Sequence, residues 1–160
     1  MSDGRIEIGD DGALSAQLQV LIHEFNEHTT GITDGRLLTV RVLDDGGDLV
    51  GGATGWTFGG CGYVDVLWVR ATSRGTGVGS RLMDAFESES LRRGCAQIAL
   101  STHSFQAPGF YADRGYHEVG RTPDYPRGHD HIHLLKRLDR TASAADAADR
   151  LGQHEGREDE

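Results

Sequence analysis

Lysine is almost missing from this chain: Lys136 is the only one in 160 residues. A phosphate site of the lysine-dependent kind is therefore excluded from the rest of the chain. Cysteine occurs twice, at Cys61 and Cys95, which gives no disulfide framework and predicts two free thiols in a cytoplasmic protein. No apolar run approaches membrane-spanning length, and Met1-Ser2-Asp3-Gly4-Arg5 does not resemble a signal peptide, so no membrane partner is expected. Positive charge is also short. Sixteen basic residues against 25 acidic ones leave a net charge of −9, which argues against a nucleic-acid partner.

Seven acids and three arginines place −4 of that charge in residues 139–160, an alanine-rich stretch expected to be a solvated tail or frayed helix. Residues 1–138 are left as a single domain. What the chain has in excess is glycine, 23 residues, roughly twice the usual share. Regular apolar segments surround these glycines, so they signal tight turns and close backbone approaches rather than disorder.

The order of elements follows from periodicity. Leu14, Leu18, Leu21, Ile22 and Phe25 fall at helical spacing, with Asp10 and Asp11 in front as caps and Gly31 behind as a stop. Residues 36–43 alternate as a strand, 44–48 carry turn chemistry, and 49–58 and 62–69 read as two more strands. After a loop over 70–77, Val78, Leu82, Ala85, Phe86 and Glu89 mark the inward side of a helix ended by Gly94. A short strand over 96–100, a short helix over 108–114 and a strand pair over 116–120 and 131–138 close the chain. The predicted fold class is α/β, a mixed and mostly antiparallel central sheet with one parallel strand-helix-strand crossover.

The loop between the third strand and the second helix is the most informative segment. Its Arg74-Gly75-Thr76-Gly77-Val78-Gly79-Ser80 run brings successive backbone N–H groups to a helix N-terminus, where peptide dipoles favour an anion. The P-loop pattern fails for want of lysine, and the dinucleotide fingerprint fails on glycine spacing and on the antiparallel strands upstream. The pattern Arg74-x-x-Gly77-x-Gly79 remains.

With Leu67-Trp68-Val69 before it, and Ala107-Pro108-Gly109-Phe110-Tyr111 with Gly115-Tyr116 behind it, this pattern resembles the GNAT superfamily of acetyl-CoA-dependent N-acetyltransferases. The match covers roughly residues 62–138. One departure is Ser104, where the family often has asparagine. The resemblance implies a GNAT-like acyl-CoA N-acyltransferase fold and acetyl-CoA as cosubstrate. Arg74, Gly75, Thr76, Gly77, Val78, Gly79 and Ser80 would hold the pyrophosphate. Trp68 and Val69 would lie beside the pantetheine arm and the thioester, with Ser104 and Ala107 completing the cofactor side.

Acetyl transfer to an amine needs an oxyanion donor, a base and an acid for the departing thiolate. By resemblance Tyr111 is the candidate acid, and its other reading is a core aromatic beside Phe110 and Tyr116. Strand alternation sets Asp65, Leu67 and Val69 on one face and Val64, Val66 and Trp68 on the other. That makes Asp65 an acid in an apolar strand, to be matched by a buried arginine or by a substrate ammonium. His103, at the end of the next strand, is the other candidate base.

Ser101, Thr102 and Gln106 are expected to line the same cleft. Asp124, Tyr125 and His129 are expected on the acceptor side. The run from His129 through His131 to His133 invites a metal reading, but zinc-type partners are absent and a solvated strand face is the simpler account, so no metal is expected. Glu24 and Glu27 lie on the polar face of the first helix and could attract a cation. Together these features predict an N-acetyltransferase moving the acetyl group to a primary amine of a small, cationic acceptor by direct attack through a tetrahedral intermediate. A peptide N-terminus or lysine acceptor, and a non-catalytic acyl-CoA-binding module, stay open. Homodimers are common among such enzymes, but no residue here demonstrates one.

Overall fold

A computed structural model describes residues 5–138, and residues 139–160, with the predicted tail, lie outside the described part. The described residues divide into two units, residues 5–33 and 34–138. In the first, helix α1 (Gly12–Thr30) begins where the Asp11 carboxylate accepts the N–H groups of Ala13 and Leu14 at 2.9 and 3.0 Å. It ends at Gly31, whose φ of 69° lets its N–H reach the Glu27 carbonyl at 2.8 Å. Its apolar stripe includes Leu18, Leu21 and Ile22, all exposed.

The second unit holds six strands: β1 (Arg36–Leu43), β2 (Leu49–Phe58), β3 (Cys61–Val69), β4 (Gln97–His103), β5 (His117–Thr122) and β6 (His131–Arg137). They lie side by side in the order β1-β2-β3-β4-β6-β5. Only β3 and β4 are parallel, joined by helix α2 (Val78–Arg92). The expected mixed sheet with one parallel crossover is therefore what forms. A short helix α3 (Pro108–Ala112) precedes β5.

The core forms where α2 lies on β1, β2 and β3. Leu82, Met83 and Phe86 are fully buried there against Leu38, Ala53, Val64 and Ile98, each large side chain contributing about 2 kcal/mol of transfer free energy. Met83 and Ser90, rather than Ala85 and Glu89, complete the buried side of α2. Glu89 instead takes ion pairs from Arg92 and Arg93, both at 2.7 Å, and these guanidinium groups hold its carboxyl down at about 2.

Ser90 sits in the core at 0% exposure with no hydrogen-bond partner for its hydroxyl among the described residues. An unpaired buried hydroxyl costs stability. Ser90→Ala is expected to raise stability by about 1 kcal/mol, read as a higher urea midpoint at unchanged m value. A lower midpoint would show that the hydroxyl is satisfied.

Two departures from regular pairing shape the sheet. Between β2 and β3 the register runs Thr54 to Val66 and then Gly55 to Val64, so Asp65 has no partner and β3 bulges there. Between β3 and β4 pairing runs from Cys61 with Gln97 to Val64 with Leu100 and then stops. Beyond that point, residues 65–69 of β3 and 101–103 of β4 continue unpaired with each other. The parallel strands thus open a wedge at their C-terminal ends, in the middle of the sheet.

Candidate active site

The bulge corrects the expected facing of β3. Strict alternation fails at Asp65, so Val64, at 3% exposure, shares the core side with Leu67 and Val69. Asp65, Val66 and Trp68 are exposed. Asp65 is thus a solvent-facing carboxylate beside the wedge, with no ion-pair partner among the described residues, rather than an acid buried among valines.

Strand geometry also sorts the backbone donors. The N–H of Arg70 points to β2, where it meets the Val50 carbonyl at 2.8 Å, so the backbone groups of Val69 point the other way. Its carbonyl does so, accepting Nε of Arg74 at 3.1 Å. The N–H of Val69, not that of Trp68, therefore faces the wedge.

At the tip of β3 a single 3-10 turn over Ala71–Ser73 feeds the glycine loop. Thr76 Oγ1 donates to the Ser73 carbonyl at 2.7 Å and fixes the turn. Gly75 and Gly77 have φ of 74° and 85°, in the left-handed region that glycine occupies freely, and open space lies where a Cβ would stand. Gly77 caps α2 without any side-chain hydrogen bond, and no acidic residue occupies the first turn. Among the described residues, the N–H groups of residues 75–80 donate to no protein acceptor. Six unspent donors at a helix N-terminus with no local acid fit a pyrophosphate, while the Arg74 guanidinium is held at the end of β3 by the Val69 carbonyl.

Because β3 and β4 are parallel, the end of β4 lies at this wedge too. The backbone N–H of His103 donates to Oε1 of Gln106 at 3.1 Å, which identifies that atom as an oxygen. His103 Nδ1 lies 2.9 Å from the same oxygen and so carries its own proton. The other ring nitrogen, Nε2, has no hydrogen-bond partner among the described residues. Thr102 is buried, with Oγ1 at 3.4 Å from the Gln106 carbonyl, and Ser101 is half-buried opposite His133.

Ser104 binds Asp130 twice, accepting its N–H at 3.1 Å and donating its own N–H at 2.9 Å. Its hydroxyl therefore holds the loop before β6 in place. Asp124 is likewise spent inside that loop, where it accepts the Gly128 N–H at 2.6 Å. Tyr125 and His129 are exposed at its surface.

Ala107, with φ 53°, sets the start of α3. That helix delivers Tyr111, which is 8% exposed between Phe110 and Tyr116. Its ring belongs to the core, and its hydroxyl has no partner among the described residues. Burial pushes its phenol above the ordinary tyrosine pKa. Tyr116, by contrast, spends its hydroxyl on Glu87 at 3.0 Å. Glu87 also takes Lys136 Nζ at 2.7 Å and an Arg114 nitrogen at 3.4 Å, which fastens the turn after α3 to α2 and β6. Glu24 and Glu27 belong to the first unit, where Glu27 lies 3.1 Å from His23.

Phe105 carries no sequence motif, and His131 and His133 are expected from the sequence as a solvated strand face. The structure stacks His131 on His103 and sets His133 edge-on to His131, and the signal was available: histidines two apart on a strand share a face, and β6 pairs with β4. No group of three metal-ligating side chains forms among the described residues.

A parallel strand pair that parts at its end, with a loop of unspent donors at the mouth, agrees with the acyltransferase fold that the sequence resemblance implies. The family model for the acetyltransferase (GNAT) family matches residues 13–116, and the chain belongs to that family. It is an acyltransferase enzyme. The blasticidin-S acetyltransferase of Streptomyces morookaense is 42% identical over 93 residues, 58% of this chain and 68% of that protein. An acetyltransferase of Agrobacterium fabrum is 29% identical over 114 residues, 71% and 83% of the two chains. Among solved structures, an acetyltransferase from Bacillus cereus superposes with a TM-score of 0.74 at 31% identity, covering 86% of this chain and all (100%) of that one. An aminoglycoside 6'-N-acetyltransferase complexed with coenzyme A shares the fold at a TM-score of 0.59 and 21% identity.

Proposed function

We propose that this enzyme moves the acetyl group of acetyl-CoA to a primary amine of a small, cationic acceptor by direct attack. The observation that carries the reading is the edge of the β3–β4 wedge. The loop after β3 carries six unspent backbone donors, the N–H of Val69 turns away from β2, and His103 stands at the matching end of β4. Similarity to the blasticidin-S acetyltransferase supports a small amine acceptor, and the net charge of −9 favours a cation.

The N–H groups of residues 75–80 with Arg74 would hold the pyrophosphate, and Trp68 and Val69 would flank the arm. When bound, acetyl-CoA supplies an activated thioester carbonyl. The N–H of Val69 is placed to donate to the carbonyl oxygen as negative charge grows on it. His103 Nε2 accepts the proton of the acceptor ammonium, while exposed Asp65 attracts that ammonium to the wedge. As the C–N bond forms and the C–S bond breaks, Tyr111 gives its hydroxyl proton to the departing thiolate and regains one from the newly acetylated nitrogen.

The experiment is calorimetric titration of coenzyme A into wild type, Gly77→Asp and Gly77→Asn. Both substitutions carry the same φ strain, but only aspartate brings a charge to the donors. Like charges about 4 Å apart at a protein surface cost roughly 4 kcal/mol, so Gly77→Asp should bind at least about a hundredfold more weakly. Gly77→Asn should stay within about tenfold of wild type. Equal affinities in the two variants, or no binding by wild type, would remove the loop from the cofactor site. Where binding holds, a panel of amines and peptides, read as thiol release, separates small acceptors from peptide acceptors.

A further inference from the structure

Six rings meet at the far side of the wedge. His103 stacks on His131 with centroids 4.7 Å apart and an interplanar angle of 27°, and on Phe105 at 5.2 Å and 13°. His131 meets His133 edge-on at 4.8 Å and Tyr125 at 5.4 Å. Tyr125 also reaches His103 at 5.9 Å, and Phe105 meets His129 at 4.8 Å. The rings come from the end of β4, the loop after it, the loop before β6, and β6 itself.

Such a cluster does not serve folding in the usual way, because its members are poorly buried. Phe105 and Tyr125 are 55% and 56% exposed, His129 is exposed, and His103, His131 and His133 are half-buried. Exposed rings held face to face leave the outer faces of the stack open to water, at a cost that a ligand would remove. A metal does not fit. Near-parallel imidazoles at 4.7 Å aim their nitrogens side by side rather than at one point.

An ammonium group is not the favoured occupant either. The carboxylate nearest in the chain, Asp130, is committed to Arg121 at 2.6 Å, and Asp124 to its own loop. Burial, with His103 and His133 beside it, holds His131 below its ordinary pKa, so its face is offered without charge at neutral pH. What remains is a set of uncharged π faces edged with imidazole and phenol donors and acceptors. That surface matches a flat ring whose rim carries nitrogen and oxygen.

We propose that the rings of His103, Phe105, Tyr125, His129, His131 and His133 form the acceptor subsite, and that the amine is carried by a molecule with a planar heteroaromatic ring that stacks there. This rests on the acetyltransferase reading and narrows its acceptor. The ring docks on the cluster while its amine arm extends toward His103 Nε2, so the subsite selects by shape and the edge of the wedge performs the transfer.

The test uses the full chain saturated with coenzyme A and matched probes: tryptamine and histamine against propylamine and butane-1,4-diamine. Proton NMR reads affinity, and the imidazole carbon-bound protons read location. The ring amines should bind about tenfold more tightly than the ringless pair, with their ring protons shifted upfield and the His131 and His133 resonances moving. A Tyr125→Ala, His131→Ala double variant should lose that preference while keeping wild-type coenzyme A affinity, and Tyr125→Phe should retain it. Equal affinity for ring and ringless amines, or shifts away from these histidines, would overturn the subsite while coenzyme A binding left the acetyltransferase reading standing. Absence of coenzyme A binding would instead strike that reading, and the probe shifts would still decide whether the cluster holds rings.

Discussion

Replacing Tyr111 by phenylalanine is expected to lower kcat by about 10² to 10³, the usual worth of a positioned general acid, with KM for the amine and coenzyme A affinity little changed. The substitution is unusually clean. The ring keeps its contacts with Phe110 and Tyr116, and the hydroxyl gives up no protein hydrogen bond. Thermal stability should therefore stay within about 0.5 kcal/mol of wild type. The pH profile gives a second readout. Burial raises this phenol's pKa above the ordinary value, so the protonated, donating form persists further into the alkaline range than for a free tyrosine. In wild type the alkaline fall of kcat/KM assigned to this group lies above pH ~10. In Tyr111→Phe that limb should disappear. An unchanged kcat with the limb still present would return Tyr111 to the core as a packing residue.

Gly55→Ala should be the most damaging methyl group that can be added to the sheet. A Cβ on Gly55 would stand 1.8 Å from the Tyr63 carbonyl oxygen, 2.9 Å from its carbon and 3.1 Å from the Val64 Cα. All three are backbone atoms of the strand that bulges at Asp65, so no side chain can swing away to make room. The strand must shift, and a destabilisation of about 3 kcal/mol is expected from overpacking alone. The shift also moves residues 65–69, so at least a tenfold loss in coenzyme A affinity should accompany it. Gly109→Ala is the control, since open space surrounds that position and its φ is not left-handed. It should leave stability within about 0.5 kcal/mol. If Gly55→Ala unfolds at the wild-type midpoint, the bulge does not need the close approach.

Much of this molecule was legible from its residues. The strands Arg36–Leu43 and Leu49–Phe58 have the predicted bounds, and Asp11 and Gly31 terminate α1 as their chemistry requires. The loop at Arg74 to Ser80 was readable because glycine, arginine and a following amphipathic helix leave a local signature. These are short-range facts: a cap, a turn or a helix face is set by neighbours a few residues away.

The facing of Asp65 was not legible, although its presence was. Period-two alternation assumes a regular ladder, and the extra residue at Asp65 follows from pairing with Gly55 across a different strand. Ser104 and Asp124 looked available for ligands by type, yet each is spent on backbone across or within a loop. Phe105 carried no motif at all.

The sequence by itself determined the order of elements, the glycine loop before α2 and the family, because each depends on spacing along one stretch of chain. The tertiary structure alone decided which way the Val69 N–H points, where β3 and β4 part and which six rings meet at the wedge. Those features arise between strands far apart in sequence, where pairing, the close backbone approach at Gly55 and the hydrogen bonds of Gln106 select one arrangement.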